Sequence, residues 1–147
     1  MIESTLAACG AIEPGYWFSR IHRFDEEAVR RFAHAAGDEN PMHHDSELAA
    51  ATRFGGLIAS GTHTASLLMG LAATHFARRG SVLGTSLSVD LLRPVRATET
   101  VVMEWCVTSI AARPKRGRIV ELQGTMKGAD DRTRVLAHCT VLFTPDA

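Results

Sequence analysis

Cysteine is scarce in this chain of 147 residues: Cys9, Cys106 and Cys139 are too few and too scattered for a disulfide framework, and no two form a C-x-x-C pair. That excludes a stapled secreted scaffold and favours a reducing, cytoplasmic setting. Net charge is absent too, since sixteen basic residues balance sixteen acidic ones. The balance argues against broad, charge-driven binding to nucleic acid or an anionic membrane surface. Internal repeats, low-complexity tracts and long linkers are missing, so residues 1–147 are expected to form one unit. Leu6-Ala7-Ala8-Cys9 has the outline of a lipoprotein cleavage site. A basic leader is lacking, however, Glu3 stands before it, and the apolar stretch is too short for a signal peptide. From Leu57 to Phe76 twenty residues carry no Asp, Glu, Lys or Arg, about the length of a bilayer span. Ser60-Gly61-Thr62-His63-Thr64 and His75 interrupt that run with groups costly in hydrocarbon, so a buried helix is expected and not a membrane span.

What is present is an ordinary globular composition, 46% hydrophobic and 22% charged. Residues 1–13 are expected to be an irregular lead-in, and Gly15 to Phe24, rich in aromatic and β-branched types, a first strand. Asp25 fits a helix N-cap with Glu26 and Glu27 in the first turn, where carboxylates favour the helix dipole. Val29, Phe32, Ala33 and Ala36 share one face, and Gly37 suits the end of that helix. Asp38–His44 is then a polar loop, and Asp45 or Ser46 caps a second short helix through about Thr52. A longer helix is predicted over Gly61–Ala77, apolar on nearly every side and therefore enclosed by protein. After Gly80 the period changes to two, with Leu83, Thr85, Leu87, Val89 and Leu91 on one strand face. Val101–Ile110, Arg118–Lys127 and Arg132–Phe143 are three further strands separated by turn-forming segments. One strand, helices, then four strands give an α+β class, an antiparallel sheet around one buried helix. Its edge strands need cover, and a second subunit is one way to provide it.

Two segments hold groups capable of chemistry. In Gly37-Asp38-Glu39-Asn40-Pro41-Met42-His43 a carboxylate and an imidazole stand five residues apart, on backbone held by a helix end and a proline. Brought to one water, they would remove one proton and supply another. The alternative is that Asp38 bonds turn amides and His43 is a solvated loop residue. At Ile58-Ala59-Ser60-Gly61-Thr62, the start of the long helix presents unpaired N–H groups, and the amide of Gly61 would stabilise a carbonyl oxygen as it gains charge. The alternative is that Ser60 is an N-cap and nothing more.

The run Phe32-Ala33-His34-Ala35-Ala36-Gly37-Asp38-Glu39-Asn40-Pro41-Met42-His43 resembles the hydratase signature of the MaoC-like family, the (R)-specific enoyl-CoA hydratases and related dehydratases. Phe54-Gly55-Gly56-Leu57-Ile58-Ala59-Ser60-Gly61 is similar to that family's second block, and the element order matches over roughly residues 15–144. The resemblance implies a hot-dog fold, a curled antiparallel sheet wrapped around one long buried helix. It also implies a homodimer or higher homo-oligomer, with an acyl-CoA substrate in a tunnel and no cofactor beyond the coenzyme A of that substrate. By the same resemblance His43 takes the water proton, Asp38 protonates the α-carbon, Gly61 N–H binds the thioester oxygen, and Asn40 supports the loop. The chain departs from the family pattern where Ser60 replaces a histidine, where Thr62-His63-Thr64 replaces apolar residues, and where Met69 replaces a supporting serine. His63 then either stands in part for the missing histidine or packs at the helix start.

Arg113, Lys115, Arg116 and Arg118 put four cations within six residues, which fits a solvated hairpin turn or a clamp for the phosphates of coenzyme A. Arg93 and Arg96 flank Pro94 and are a second candidate for the same task. His34, His43, His44 and Asp45 match no familiar metal spacing, and no metal site is expected. Cys106 and Cys139 are expected in the core. The expected activity is reversible hydration of a trans-2-enoyl-CoA. A hot-dog thioesterase and a weakly catalytic acyl-CoA-binding or hetero-oligomer subunit are the alternatives.

Overall fold

A computed structural model describes residues 5–147. The chain runs β1 (Thr5–Ala7), β2 (Trp17–Arg23), α1 (Glu26–Ala35), a single 3-10 turn (Pro41–His43), α2 (Ser46–Ala50), α3 (Gly61–Ala77), β3 (Gly80–Leu91), β4 (Thr100–Arg113), β5 (Gly117–Gly128) and β6 (Thr133–Pro145). The six strands form one antiparallel sheet in the order β1-β2-β4-β5-β6-β3. Helix α3 packs against both β2 and β3. Four strand spacings separate those two in the order, about 19 Å on a flat sheet, more than one helix spans. The sheet therefore curls around α3, which is the hot-dog arrangement.

Local chemistry explains most element ends. Asp25 caps α1 by accepting the Ala28 N–H at 2.8 Å, and Asp45 caps α2 by accepting the N–H groups of Glu47 and Leu48. Trp105 of β4 is fully buried and donates its indole N–H to the Leu68 carbonyl at 2.8 Å, tying the sheet to the middle of α3. Phe18, Leu68, Leu71, Phe76, Leu122 and Met126 fill the space between them.

Three expectations need correction. The lead-in contains a short strand, β1, paired with β2; residues 1–4 lie outside the described residues. Helix α3 is not enclosed on all sides: Leu68, Leu71, Ala72, His75 and Phe76 are buried, whereas Thr62, Ser66, Gly70, Ala73 and Thr74 face outward. Those outward positions carry small or hydroxyl side chains, so hydropathy alone hid the open face. In β3 the register shifts between Gly84 and Ser86. One extra residue reverses the alternation, so Gly84, Leu87, Val89 and Leu91 pair with the inward residues of β6, while Leu83 pairs with Leu142 on the outer face. Leu83, Leu87 and Leu91 are all exposed along this edge strand. Among the described residues, no helix is long and apolar enough to cross a membrane.

Candidate active site

The end of α1 places Asp38. The Gly37 N–H donates to the His34 carbonyl at 3.0 Å and the Asp38 N–H to the Ala33 carbonyl at 2.8 Å. This paired closure requires the left-handed backbone that Gly37 adopts, with φ of +72°. The Asp38 carboxylate accepts the Asn40 N–H at 3.0 Å, and Asn40 in turn caps the next turn by accepting the Met42 N–H at 3.1 Å. His44 Nε2 donates to the Asp38 carbonyl at 2.6 Å. Helix stop, proline turn and three side-chain bonds thus hold the Asp38–His43 segment in one shape.

His43 is buried and Asp38 half-exposed. His43 Nδ1 lies 2.7 Å from the Ile58 carbonyl oxygen. A carbonyl only accepts, so Nδ1 carries the proton, and in the neutral ring Nε2 is left with its lone pair. That lone pair faces Asp38, with Nε2 and Oδ2 3.4 Å apart, longer than a good N–H···O bond. The alternative of a solvated loop role for His43 does not hold, since the side chain is buried. The turn role for Asp38 does, alongside its contact with His43.

Helix α3 starts beside this pair. The Ser60 hydroxyl accepts the His63 N–H at 3.2 Å, and Thr64 Oγ1 donates to the Gly61 carbonyl at 2.7 Å. Among the described residues, no group accepts the Gly61 N–H. A cavity of about 240 Å³ opens there, lined by His43, Ile58, Gly61, Thr64, Leu91 and Val135 among others. A Cβ on Gly61 would overlap Leu91 Cδ1, so glycine keeps this wall open. Asp38 itself lines a separate depression, of about 400 Å³, with His34, Glu39, His44 and Asp45. The 3.4 Å contact between His43 Nε2 and Asp38 Oδ2 joins the residues of the two spaces.

This geometry has relatives. The MaoC like domain matches residues 10–127. The chain belongs to the MaoC-like family. It is 39% identical over 101 residues to an (R)-specific enoyl-CoA hydratase of Aeromonas caviae, covering 68% of this chain and 74% of that protein. It is 33% identical over 88 residues to a 3-hydroxybutyryl-CoA dehydratase of Methylorubrum extorquens, covering 60% of this chain. The match spans about half of that relative, 55%. A solved (R)-hydratase structure from A. caviae superposes with a TM-score of 0.80 at 27% identity, covering 92% of this chain and 99% of that one.

The remaining candidate residues of this MaoC-like chain fall in different places. Asn40 and Ser60 are caps at the site. His63 is buried away from the cavity, stacked 4.4 Å from Phe32 and edge-on to Phe24. Burial, chiefly, pushes His63 down from 6.5 to about 4; His22 and His43 lower it further and Asp25 opposes them. Arg113, Lys115 and Arg116 sit at the β4–β5 hairpin tip, and Arg118 beside them pairs with Phe143, eight residues along β6 from Val135 of the cavity. That is about 26 Å of strand, so within this chain the basic turn is remote from His43. Arg93 lines the cavity and donates to the Thr133 carbonyl at 2.6 Å. Met69 packs against the core and meets Gly84. Cys139 is buried, its thiol pushed up to about 12 by that burial, whereas Cys106 is only half-buried on the opposite face from Trp105.

Three contributors escaped the sequence reading: the Ile58 carbonyl that orients His43, Thr64, and Leu91 over Gly61. No local signal marks a backbone carbonyl as a histidine partner. The one hint was the Gly55-Gly56 bend, which lets the chain before α3 return to the Pro41–His43 turn.

Proposed function

We propose that this chain is a hydro-lyase acting on acyl-CoA thioesters, adding water reversibly across a trans-2-enoyl-CoA to give a 3-hydroxyacyl-CoA. The observation that carries it is the fixed tautomer of His43, with Nδ1–H on the Ile58 carbonyl and a basic Nε2 facing Asp38. In the hydration direction Nε2 takes a proton from water, and the water oxygen bonds to the β-carbon of the enoyl group. The double-bond electrons move toward the thioester, whose oxygen accepts the Gly61 N–H as it becomes negative. The Asp38 carboxyl then gives its proton to the α-carbon. The imidazolium and carboxylate left behind are 3.4 Å apart, close enough for a proton to return and reset the pair. Dehydration is the same path reversed.

The named relatives support this reaction class. The exposed leucines of edge strand β3 support a homodimer or higher homo-oligomer, since a second copy would cover them. The test uses pure protein and a panel of 2-enoyl-CoAs, following loss of the enoyl-thioester absorbance beside a free-thiol assay. Loss without thiol release is expected. Thiol release would instead identify a thioesterase, and silence in both assays with saturable acyl-CoA binding would identify a binding subunit.

A further inference from the structure

His44 follows His43 in the chain but lines the depression of Asp38 and not the cavity at Gly61. The two consecutive imidazoles bond to opposite sides of the site. His43 Nδ1 donates to the Ile58 carbonyl before α3 at 2.7 Å, and His44 Nε2 to the Asp38 carbonyl after α1 at 2.6 Å. A carbonyl only accepts, so the proton of His44 is on Nε2, the reverse of the His43 tautomer.

The base of the His44 ring is itself fixed. Its N–H donates to the Pro41 carbonyl at 3.1 Å, and its carbonyl accepts from Arg30 Nε at 3.2 Å. The Arg30 guanidinium also donates to the Ser46 hydroxyl and lies 3.5 Å from Glu26 on its own helix. Helix α1 therefore anchors a ring that reaches back six residues to Asp38. Among the described residues, that ring is the partner of the Asp38 carbonyl. Asp38 is half-exposed, so without this bond the Asp38–Glu39 peptide is free to turn toward water. Such a turn carries the Asn40 N–H away from the carboxylate, which a 3.0 Å bond to that N–H otherwise orients. The carboxylate then loses the pose that puts Oδ2 3.4 Å from His43 Nε2.

We infer that His44 is a positioning residue for Asp38: its ring, braced by Arg30, sets the pose from which the Asp38 carboxyl reaches the α-carbon. This role rests on the hydro-lyase reading. The sequence singles out His44 only among residues weighed as metal ligands, whereas the folded chain gives its ring to the backbone of the acid. The geometry also says which kinetic constant moves. His44 is no part of the cavity lining at Gly61, so thioester binding is untouched while proton transfer slows.

His44→Leu removes the donor at similar size, and His44→Gln puts an amide N–H near the Nε2 position. With a 2-enoyl-CoA that wild type hydrates, His44→Leu is expected to lower kcat by about tenfold or more. KM should stay within about twofold of wild type, and His44→Gln should recover most of the rate. Arg30→Met loosens the outer end of the brace without touching the ring, and should lower kcat by a smaller factor. Amide hydrogen exchange at Asn40, followed by NMR without substrate, should quicken in His44→Leu and slow again in His44→Gln. Circular dichroism confirms that each variant is folded at the assay temperature. Unaltered kcat in folded His44→Leu, a rise in KM alone, or unchanged exchange at Asn40 overturns the role. So does a His44→Gln variant as slow as His44→Leu, since the ring would then serve something other than the Asp38 carbonyl. Wild type separates the two readings. If it hydrates no enoyl-CoA, the hydro-lyase reading falls and this role with it; if it hydrates and is indifferent to His44, this role alone falls.

Discussion

The peptide unit of Ile58 is bonded on both sides to the turn that carries His43: its N–H donates to the Met42 carbonyl at 3.2 Å, and its carbonyl accepts from His43 Nδ1 at 2.7 Å. The imidazole is thus part of the link between the Pro41–His43 turn and the start of α3. His43→Asn keeps a donor near the Nδ1 position and removes Nε2. It is expected to lower turnover by about 10²-fold or more, with stability within about 1 kcal/mol of wild type. His43→Ala also leaves the Ile58 carbonyl without its partner, a further cost of about 1–3 kcal/mol. Asp38→Asn is expected to lose turnover with the fold intact. Steady-state rates beside urea unfolding separate the two effects, and near wild-type rates in any of the three would remove the residue concerned from the mechanism.

Gly61 and Leu91 make a second testable pair. A methyl group on Gly61 would strike the end of the Leu91 side chain and not backbone, so Leu91 can move aside. Gly61→Ala is therefore expected to shift the melting temperature little but to lower kcat/KM by tenfold or more, because an added methyl displaces bound thioester from the N–H. Adding Leu91→Ala should restore part of that loss by making room. If the double variant is no better than Gly61→Ala alone, the wall formed by Leu91 does not control access to the amide.

Much of this was legible in the residues because the deciding forces are local. Asp25 before two glutamates marks the start of α1, Gly37 marks its end, and the uncharged run closed by Arg78 and Arg79 locates α3 at Gly61–Ala77. The faces of β3 were not legible beyond Gly84, since a bulge depends on pairing with β6 and leaves no mark in hydropathy. Charge density along the chain singled out Arg113–Arg118, with Arg93 and Arg96 as a second candidate, and only the folded chain shows that Arg93 lines the cavity while the hairpin lies far along the sheet from it. Likewise nothing in Leu91 announces contact with Gly61.

Two buried histidines predict acid sensitivity. Burial pushes His75 down from 6.5 to about 4, helped by the positive charges of Arg79 and Arg78, and His63 reaches about 4 chiefly by burial. Above pH 6.5 both are neutral in either state and cost nothing. Between about 6.5 and 4 the unfolded chain takes up protons that the folded chain refuses, so stability falls as pH drops through that window, by up to about 1.4 kcal/mol per pH unit for each histidine. Below about 4 this contribution levels off. Among the described residues His63 Nδ1 is buried without a hydrogen-bond partner, and the ring stacks on Phe32. His63→Phe keeps the stack and removes the titration, so it should flatten the acid slope and raise stability at pH 5. His75→Phe would also flatten it but forfeits the bond to the Tyr16 hydroxyl at 2.8 Å. Unfolding free energies from pH 7 to 4 decide this, and an unchanged slope in His63→Phe would exclude His63 as a source.

Gly124 of β5 lies directly under Trp105, where a Cβ would come within 2.5 Å of indole Cε3. Leu91 can yield to a methyl group on Gly61, but Trp105 cannot yield, because it is fully buried and its N–H is bonded to Leu68 in the middle of α3. Moving the indole would shift the helix whose first turn holds Gly61. Gly124→Ala is therefore expected to cost about 1–3 kcal/mol or more by overpacking. Trp105→Phe alone leaves a cavity and removes the indole's bond to the Leu68 carbonyl, which keeps its partner within the helix, and should cost a similar amount, chiefly through the cavity. Combined, the two should be less destabilising than their sum, since the smaller ring vacates part of the space the methyl needs. Denaturant unfolding of the four proteins measures that coupling, and strict additivity would show that glycine at 124 serves something other than the packing of Trp105.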